Sequence, residues 1–257
     1  MSAVISEKKE NIGIIRLNRP EKSNSISREL LQNLNSAVLS FKNDPEIRCL
    51  MITSEGGKTF CAGADLEERS RMSREEVFQF LNDFRNLLHL LENLEIPTVS
   101  AMNGSAFGGG LELALATDIR LVKEDSVIGL TETKLGIIPG AGGTQRLARL
   151  IGKASAKDLI FRAARINSAE ALRLGIVQRV IIDNFIDLSV EYCREICSSA
   201  PIAVRAAKKA VERGFSEDIE RGLDIERECY LLTLDTEDRN EALLAFKEKR
   251  KPVFKGK

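Results

Sequence analysis

Three consecutive glycines, Gly108 to Gly110, stand between a short apolar segment and a strong helix pattern, and this junction restricts the fold more than any other stretch. Pro97 to Met102 is brief and mostly apolar, as a buried strand is. Gly104 opens a loop, and the glycines run straight into LELALA, built of good helix formers. Glycines at such a place let the backbone approach a neighbour or a ligand closely. They also leave unpaired N–H groups at a helix start, where developing negative charge is favoured. Glu112 falls in the first turn of that helix, in the company of Leu and Ala. Further on, Glu132 lies between Leu130 and Leu135, ahead of a second glycine loop, Gly140-Ala141-Gly142-Gly143. Two carboxylates in apolar settings beside a glycine-built anion site point to acid/base chemistry on a carbonyl compound.

The rest of the chain reads as α/β followed by helices. Residues 12–18 and 47–53 have strand patterns, with an amphipathic helix predicted from Ser27 to Lys42 between them. Gly56-Gly57-Lys58-Thr59 lacks the first glycine of a phosphate loop, since position 52 is Ile, and reads as a turn. In Phe60 to Leu66, Ala62-Gly63-Ala64 is small enough for a ligand to lie along the backbone, and Asp65 marks its end. Ser73 and Glu76 make a capping box ahead of a helix expected to reach Leu94. Helices are predicted over 144–151, 154–162 and 168–174, with Gly152 and Gly175 as stops, then a strand over 176–182. Beyond Asn184 nearly everything is helical, broken at Pro201 and Gly214. The division expected is a core of residues 1–198 and a helical region of residues 199–257, with no linker-like run between them.

Composition excludes several classes. Lys+Arg and Asp+Glu are both 38, so no net field draws the chain to nucleic acid or to a membrane surface. No apolar run approaches a membrane span. The start, MSAVISEKKEN, lacks the apolar core of a secretory signal. Five scattered cysteines suit a reducing compartment; Cys193 and Cys197 are one helical turn apart with no partner pair, so they read as structural and no metal site is expected. His89, the single histidine, lies in LLHLLENL and reads as a helix-packing residue, which leaves no basis for a Ser-His-Asp triad.

FCAGADL (Phe60 to Leu66), AFGGGLELALATDIRL and GIIPGAGGTQRL together resemble the enoyl-CoA hydratase/isomerase family, the crotonase superfamily, and the resemblance runs from Asn18-Arg19-Pro20 to the AFKEKR at 245–250. It implies a crotonase-type spiral of β-β-α turns followed by an all-helical C-terminal trimerisation region. It also implies a homotrimer or a dimer of trimers acting on an acyl-CoA thioester, with no cofactor, since coenzyme A enters as part of the substrate. The expected reaction is addition of water across the 2,3 double bond of a 2-enoyl-CoA, in fatty acid or branched-chain amino acid breakdown. Methylglutaconyl-CoA hydratase activity and enoyl-CoA isomerisation are the alternatives. The compartment implied is cytoplasmic for a prokaryotic chain and the mitochondrial matrix for a mature eukaryotic one.

By the same resemblance, the backbone N–H groups of Ala62 and Gly109 form an oxyanion hole for the thioester oxygen, Glu112 and Glu132 are the catalytic pair, and Gly140 offers its N–H to the attacking water. Ala62, Gly63, Ala64, Asp65 and Leu66 would receive the pantetheine and adenine, with Lys22 bordering the nucleotide and Tyr230 and Lys249 approaching the CoA of an adjacent subunit. One branch of the superfamily binds AU-rich RNA through a lysine-studded first helix. Here that helix carries only Arg28 and Lys42 as bases with Glu29 against them, so RNA binding is not expected.

Overall fold

A computed structural model describes residues 2–257. Its strands are β1 (Val4–Lys9), β2 (Ile12–Leu17), β3 (Cys49–Ser54), β4 (Thr59–Cys61), β5 (Thr98–Met102), β6 (Ser105–Phe107), β7 (Ile119–Lys123), β8 (Val127–Gly129), β9 (Ile166–Asn167) and β10 (Arg179–Ile181). The helices are α1 (Arg28–Lys42), α2 (Leu66–Arg69), α3 (Arg74–Glu92), α4 (Gly109–Leu115), α5 (Gly143–Ile151), α6 (Lys153–Phe161), α7 (Ser168–Arg173), α8 (Phe185–Cys197), α9 (Pro201–Gly214), α10 (Ile219–Leu231) and α11 (Glu237–Glu248).

The strands build two sheets, in the orders β1-β2-β3-β5-β7-β10 and β4-β6-β8-β9. β3 enters the first sheet, β4 the second, and α3 returns the chain; β5, β6 and α4 repeat the turn, and β7, β8 and α5 repeat it again. This is the β-β-α spiral of the crotonase fold. Pairing is parallel except at the two ends, β1 with β2 and β8 with β9. Parallel strands covered on both faces need apolar residues in both directions, and every residue of β3 and β5 is buried.

Alternation along the strands sorts the core into two layers. Ile12, Ile14, Cys49, Met51, Val99 and Ala101 face α8, whose Phe185, Val190 and Cys193 cover them. Ile15, Leu17, Leu50, Ile52 and Met102 face the opposite way and join Leu30, Leu34 and Val38 of α1 and Leu111 and Leu113 of α4. Cys193 and Cys197 are thus placed by α8 beside the sheet, Cys193 fully buried, and all five thiols are free. His89 differs from its expected packing role: it lies on the exposed face of α3, with its ring 3.0 Å from Asn93 Nδ2, while Leu87, Leu88 and Leu91 face inward.

Several boundaries moved. The strand expected over 176–182 contracts to β10, because the Ile176 and Val177 N–H groups close onto Ala171 O at the end of α7. α3 stops at Glu92, where the Asn93 N–H returns to His89 O. β1 has no counterpart among the expected strands; VISEKK is largely charged, as suits a sheet edge, and it folds back on β2 through Glu10 at φ 57°. The helical tail is tied to the spiral by Lys208, whose Nζ donates to Asp118 Oδ2 (2.8 Å) and Ile96 O (3.1 Å), and by Arg48, which donates to Phe254 O at 2.9 Å. Gly214 ends α9 where it crosses α10: a Cβ there would lie 3.5 Å from Gly222 Cα.

Candidate active site

A cleft of about 360 Å³ opens where the turn after β4, the start of α4 and the segment after β8 converge. Its position depends on a buried asparagine. Asn24, at φ 53°, donates from Nδ2 to Glu55 O (3.0 Å) and Thr59 O (2.9 Å), and its Oδ1 accepts the Arg19 N–H at 2.8 Å. These bonds pin the loop before α1 onto the strand that leads to Ala62. The loop then pairs with the small-residue segment: the Ile26 N–H donates to Gly63 O (2.8 Å) and the Asp65 N–H to Ile26 O (3.0 Å).

That pattern decides which amides face the cleft. A parallel bridge uses the amides and carbonyls flanking Ala64, so the Ala64 N–H points to the other side, towards α4. A Cβ built on Gly109 would lie 3.7 Å from the Ala64 nitrogen, and one built on Gly63 would lie 3.3 Å from the Gly109 nitrogen. Gly63 also holds φ at +96°, so both its conformation and the space beside it require glycine. The Ala64 and Gly109 N–H groups therefore face one point and have no protein acceptor among the described residues. Ala62 is a correction to the expected pair: its N–H donates to Ser23 O at 3.1 Å and is unavailable to a ligand.

The carboxylates occupy different surroundings. Glu112, in the first turn of α4, is 3% exposed, and its Oε1 accepts the N–H groups of Ala141 and Gly143, each at 2.8 Å. Burial pushes its carboxyl above the ordinary carboxylate range, and those two amides and the Arg146 charge pull against the shift. Glu132 begins a 3-10 turn, Glu132–Leu135, and is 9% exposed. Burial, aided by the nearby Glu112 charge, pushes its carboxyl up to about 7 against its own backbone N–H. Its Oε2 is buried without a hydrogen-bond partner among the described residues. Gly108, at φ +50°, leaves room for it, since a Cβ there would stand 3.2 Å from Glu132 Oε1.

The second glycine loop lies against Glu112. Ala141 and Gly143 are the amides that hold Glu112, and Gly140, the residue expected to meet the water, is exposed beside them. Arg146 fixes this loop, donating from Nη1 to Ala141 O (3.0 Å) and from Nε and Nη2 to both oxygens of Glu92 (3.0 and 2.8 Å). The signal was present in GAGGTQR, where a cation follows the loop by one helical turn.

Of the residues expected at the CoA end, Lys22, Ala62, Gly63, Ala64 and Leu66 line the cleft. Asp65 turns away: its Oδ1 caps α2 by accepting the Glu68 N–H (3.2 Å), and its Oδ2 pairs with Arg19 (3.0 Å). Tyr230 on α10 and Lys249 after α11 are exposed and outside the cleft. Phe80, Leu81 and Phe84 of α3 give the cleft an apolar lining together with Leu135 and Ile137, and Arg69 lines it too, 5.3 Å over the Phe80 ring.

A family model described as enoyl-CoA hydratase/isomerase matches residues 7–257. The mitochondrial methylglutaconyl-CoA hydratase of Rattus norvegicus is 44% identical over 257 residues, covering 98% of this chain and 82% of that protein. An enoyl-CoA isomerase/hydratase of Mycosarcoma maydis is 47% identical over 250 residues, covering 94% and 91%. Among solved structures, an enoyl-CoA hydratase from Bacillus anthracis superposes with a TM-score of 0.97 at 42% identity, covering 99% of this chain and 100% of that one. No helix among the described residues is long and apolar enough to cross a membrane.

Proposed function

The chain belongs to the enoyl-CoA hydratase/isomerase family, and from that premise we propose that it adds water across the 2,3 double bond of a 2-enoyl-CoA thioester. The observation that carries this reading is the contrast between the two carboxylates of one cleft: Glu112 anchored by two amides, Glu132 buried with a free oxygen. Amide donors favour the charged form, which suits Glu112 as the base. An unpartnered oxygen in an apolar pocket favours the protonated form, which suits Glu132 as the acid.

In this mechanism the thioester oxygen lies between the Ala64 and Gly109 N–H groups. Water attacks C3 as Glu112 takes its proton. The π electrons move to C2 and the thioester oxygen, where the two amides stabilise the enolate. Glu132 then delivers its proton to C2, leaving a 3-hydroxyacyl thioester, and the proton on Glu112 passes to Glu132 to restore the starting state. One fixed amide of this kind is worth about 3–4 kcal/mol of barrier, because it meets the charge without reorganising.

Ala62 to Ala64 and Leu66 border the path for the pantetheine, with Lys22 at the nucleotide end. Tyr230 and Lys249, being outside this chain's cleft, would act from a second copy. The methylglutaconyl-CoA hydratase and isomerase/hydratase relatives make 3-methylglutaconyl-CoA hydration and 3-enoyl-CoA isomerisation the alternatives. A spectrophotometric screen of the enoyl-thioester absorbance with crotonyl-, 3-methylglutaconyl- and 3-enoyl-CoA tests the assignment. Loss of absorbance with either 2-enoyl substrate is expected. Turnover of the 3-enoyl substrate alone would replace the hydratase reading with the isomerase one.

A further inference from the structure

We propose that Arg146, held in place by Glu92, is the positioning residue that makes Glu112 the base of the carboxylate pair and leaves Glu132 as the acid. This rests on the hydratase reading and deepens it by naming what divides the two roles.

The connection runs through one residue of the glycine loop. Ala141 is held by both of its backbone polar groups: its N–H donates to Glu112 Oε1 (2.8 Å), and its O accepts from Arg146 Nη1 (3.0 Å). Arg146 turns Nε and Nη2 onto the two oxygens of Glu92 at 3.0 and 2.8 Å, a fork that fixes the guanidinium plane. Gly142 is shaped to this seat: it holds φ at +108°, and a Cβ there would run into Arg146 Nη1. Gly143, whose N–H also donates to Glu112 Oε1, would bring a Cβ to 3.0 Å from that oxygen. A loop so rich in glycine has little stiffness of its own, so its amides stay aligned on Glu112 only if the loop is tied from outside. The stability of α5 does not account for the arginine. Arg146 lies one turn into α5, near the positive end of the helix dipole, where a cation is disfavoured.

The surrounding charges favour the same division. Glu132, Arg69 and Lys22 line the cleft together with Glu112. Arg146 and Glu92 share a separate cavity of about 550 Å³ with Arg85, His89 and Arg149. Of these cations, Arg146 is the one whose charge pulls the Glu112 carboxyl down against its burial. The Arg146 side chain is 16% exposed, so solvent screens that charge only in part. An ionised Glu112 in turn pushes Glu132 towards its protonated form. One guanidinium thus favours a charged base directly and a protonated acid through it.

Arg146→Met keeps the bulk and removes the charge and the donors, and two readouts follow its effect. In protein carrying carbon-13 at the glutamate carboxyls, the resonance missing from Glu112→Gln identifies Glu112, and its titration midpoint is expected to rise in Arg146→Met. In hydration of crotonyl-CoA, kcat is expected to fall by up to about 10²-fold with KM little changed, the cost of a misplaced catalytic group. The acidic limb of kcat/KM is expected to move to higher pH. Arg146→Lys keeps the charge and loses the fork, and is expected to return the limb towards wild type with only part of kcat. Should Arg146→Met fail to fold, Arg146→Gln, which can still donate to Ala141 O or Glu92, carries the same test. His89→Gln is expected to leave the limb in place; a limb that moves with His89 and not with Arg146 overturns the proposal. A Glu112 midpoint and acidic limb unmoved in the folded Arg146 variants, with the loss confined to melting temperature and active fraction, assign Arg146 to structure alone. That result overturns the proposal and leaves the hydratase reading intact. If the wild-type chain hydrates no 2-enoyl thioester, the hydratase reading falls and takes the proposal with it.

Discussion

The Ala64 nitrogen lies 3.7 Å from the position a Gly109 Cβ would take, so two backbone amides from different turns of the spiral converge on one point of the cleft. Gly109 is the first residue of α4, and Ala64 is turned towards it by the bridge to Ile26. The relationship makes the proposed oxyanion site open to removal one donor at a time.

Gly109→Pro deletes the amide at the first position of α4, a helix position that tolerates proline because its N–H has no helical partner. The variant is expected to keep its circular dichroism spectrum and to lose about 10²–10³ in kcat. A folded Gly109→Pro protein hydrating 2-enoyl-CoA near the wild-type rate would remove Gly109 from the mechanism.

The glutamates are expected to behave as a unit. Glu112→Gln and Glu132→Gln each keep size and reach while ending titration, and each should lower kcat by about 10²–10⁴. Because both serve one addition of water, the double variant should lose much less than the product of the single losses. For isomerisation one carboxylate can ferry the proton from C2 to C4, and one substitution would then be nearly harmless. Steady-state kinetics on 2- and 3-enoyl-CoA separate these outcomes.

The pH profile of kcat/KM should be bell-shaped, with each limb assigned by the sign of its group. Glu112 acts ionised, so activity falls as pH drops through a carboxyl pKa that burial has raised. Glu132 acts protonated, so activity falls as pH rises past about 7. The two titrate as an interacting pair, and the limbs report the pair's apparent values. Removal of the alkaline limb in the residual activity of Glu132→Gln supports the assignment; an unchanged alkaline limb counts against it.

The helical tail is expected to mediate self-association. Phe215, Ile219 and Phe246 are 71%, 73% and 86% exposed, and Leu231, Leu232, Leu243 and Leu244 are exposed beside them on α10 and α11 or just after. The tail's own core is small, centred on Ala206, Ile225 and Cys229. Exposed apolar surface of this extent is usually covered by a partner. Light scattering at micromolar concentration should report an oligomer that Phe246→Glu weakens; a monomeric mass for the unaltered chain would refute the expectation.

The sequence by itself determined the parts of this protein that local physics controls. The apolar run before Gly104, the glycines opening LELALA and the capping box at Ser73 placed β5, α4 and the start of α3, because strand burial, helix propensity and capping act over a few residues. The same motifs put Glu112 and Glu132 in apolar surroundings. Only the tertiary structure decided how those surroundings differ. Two amides from a loop about thirty residues away hold Glu112, while no group among the described residues holds Glu132 Oε2. It also moved the expected donor from Ala62 to Ala64, since an amide's direction depends on which neighbour its strand pairs with, and Ser23 and Ile26 supply that pairing. Arg69 shows the same limit: its position in LEERSR resembles any solvated helix end, and only in three dimensions does its guanidinium come to lie 5.3 Å over the Phe80 ring. Propensity and pattern are properties of neighbours in the chain, whereas donor direction, burial and pairing are properties of neighbours in space.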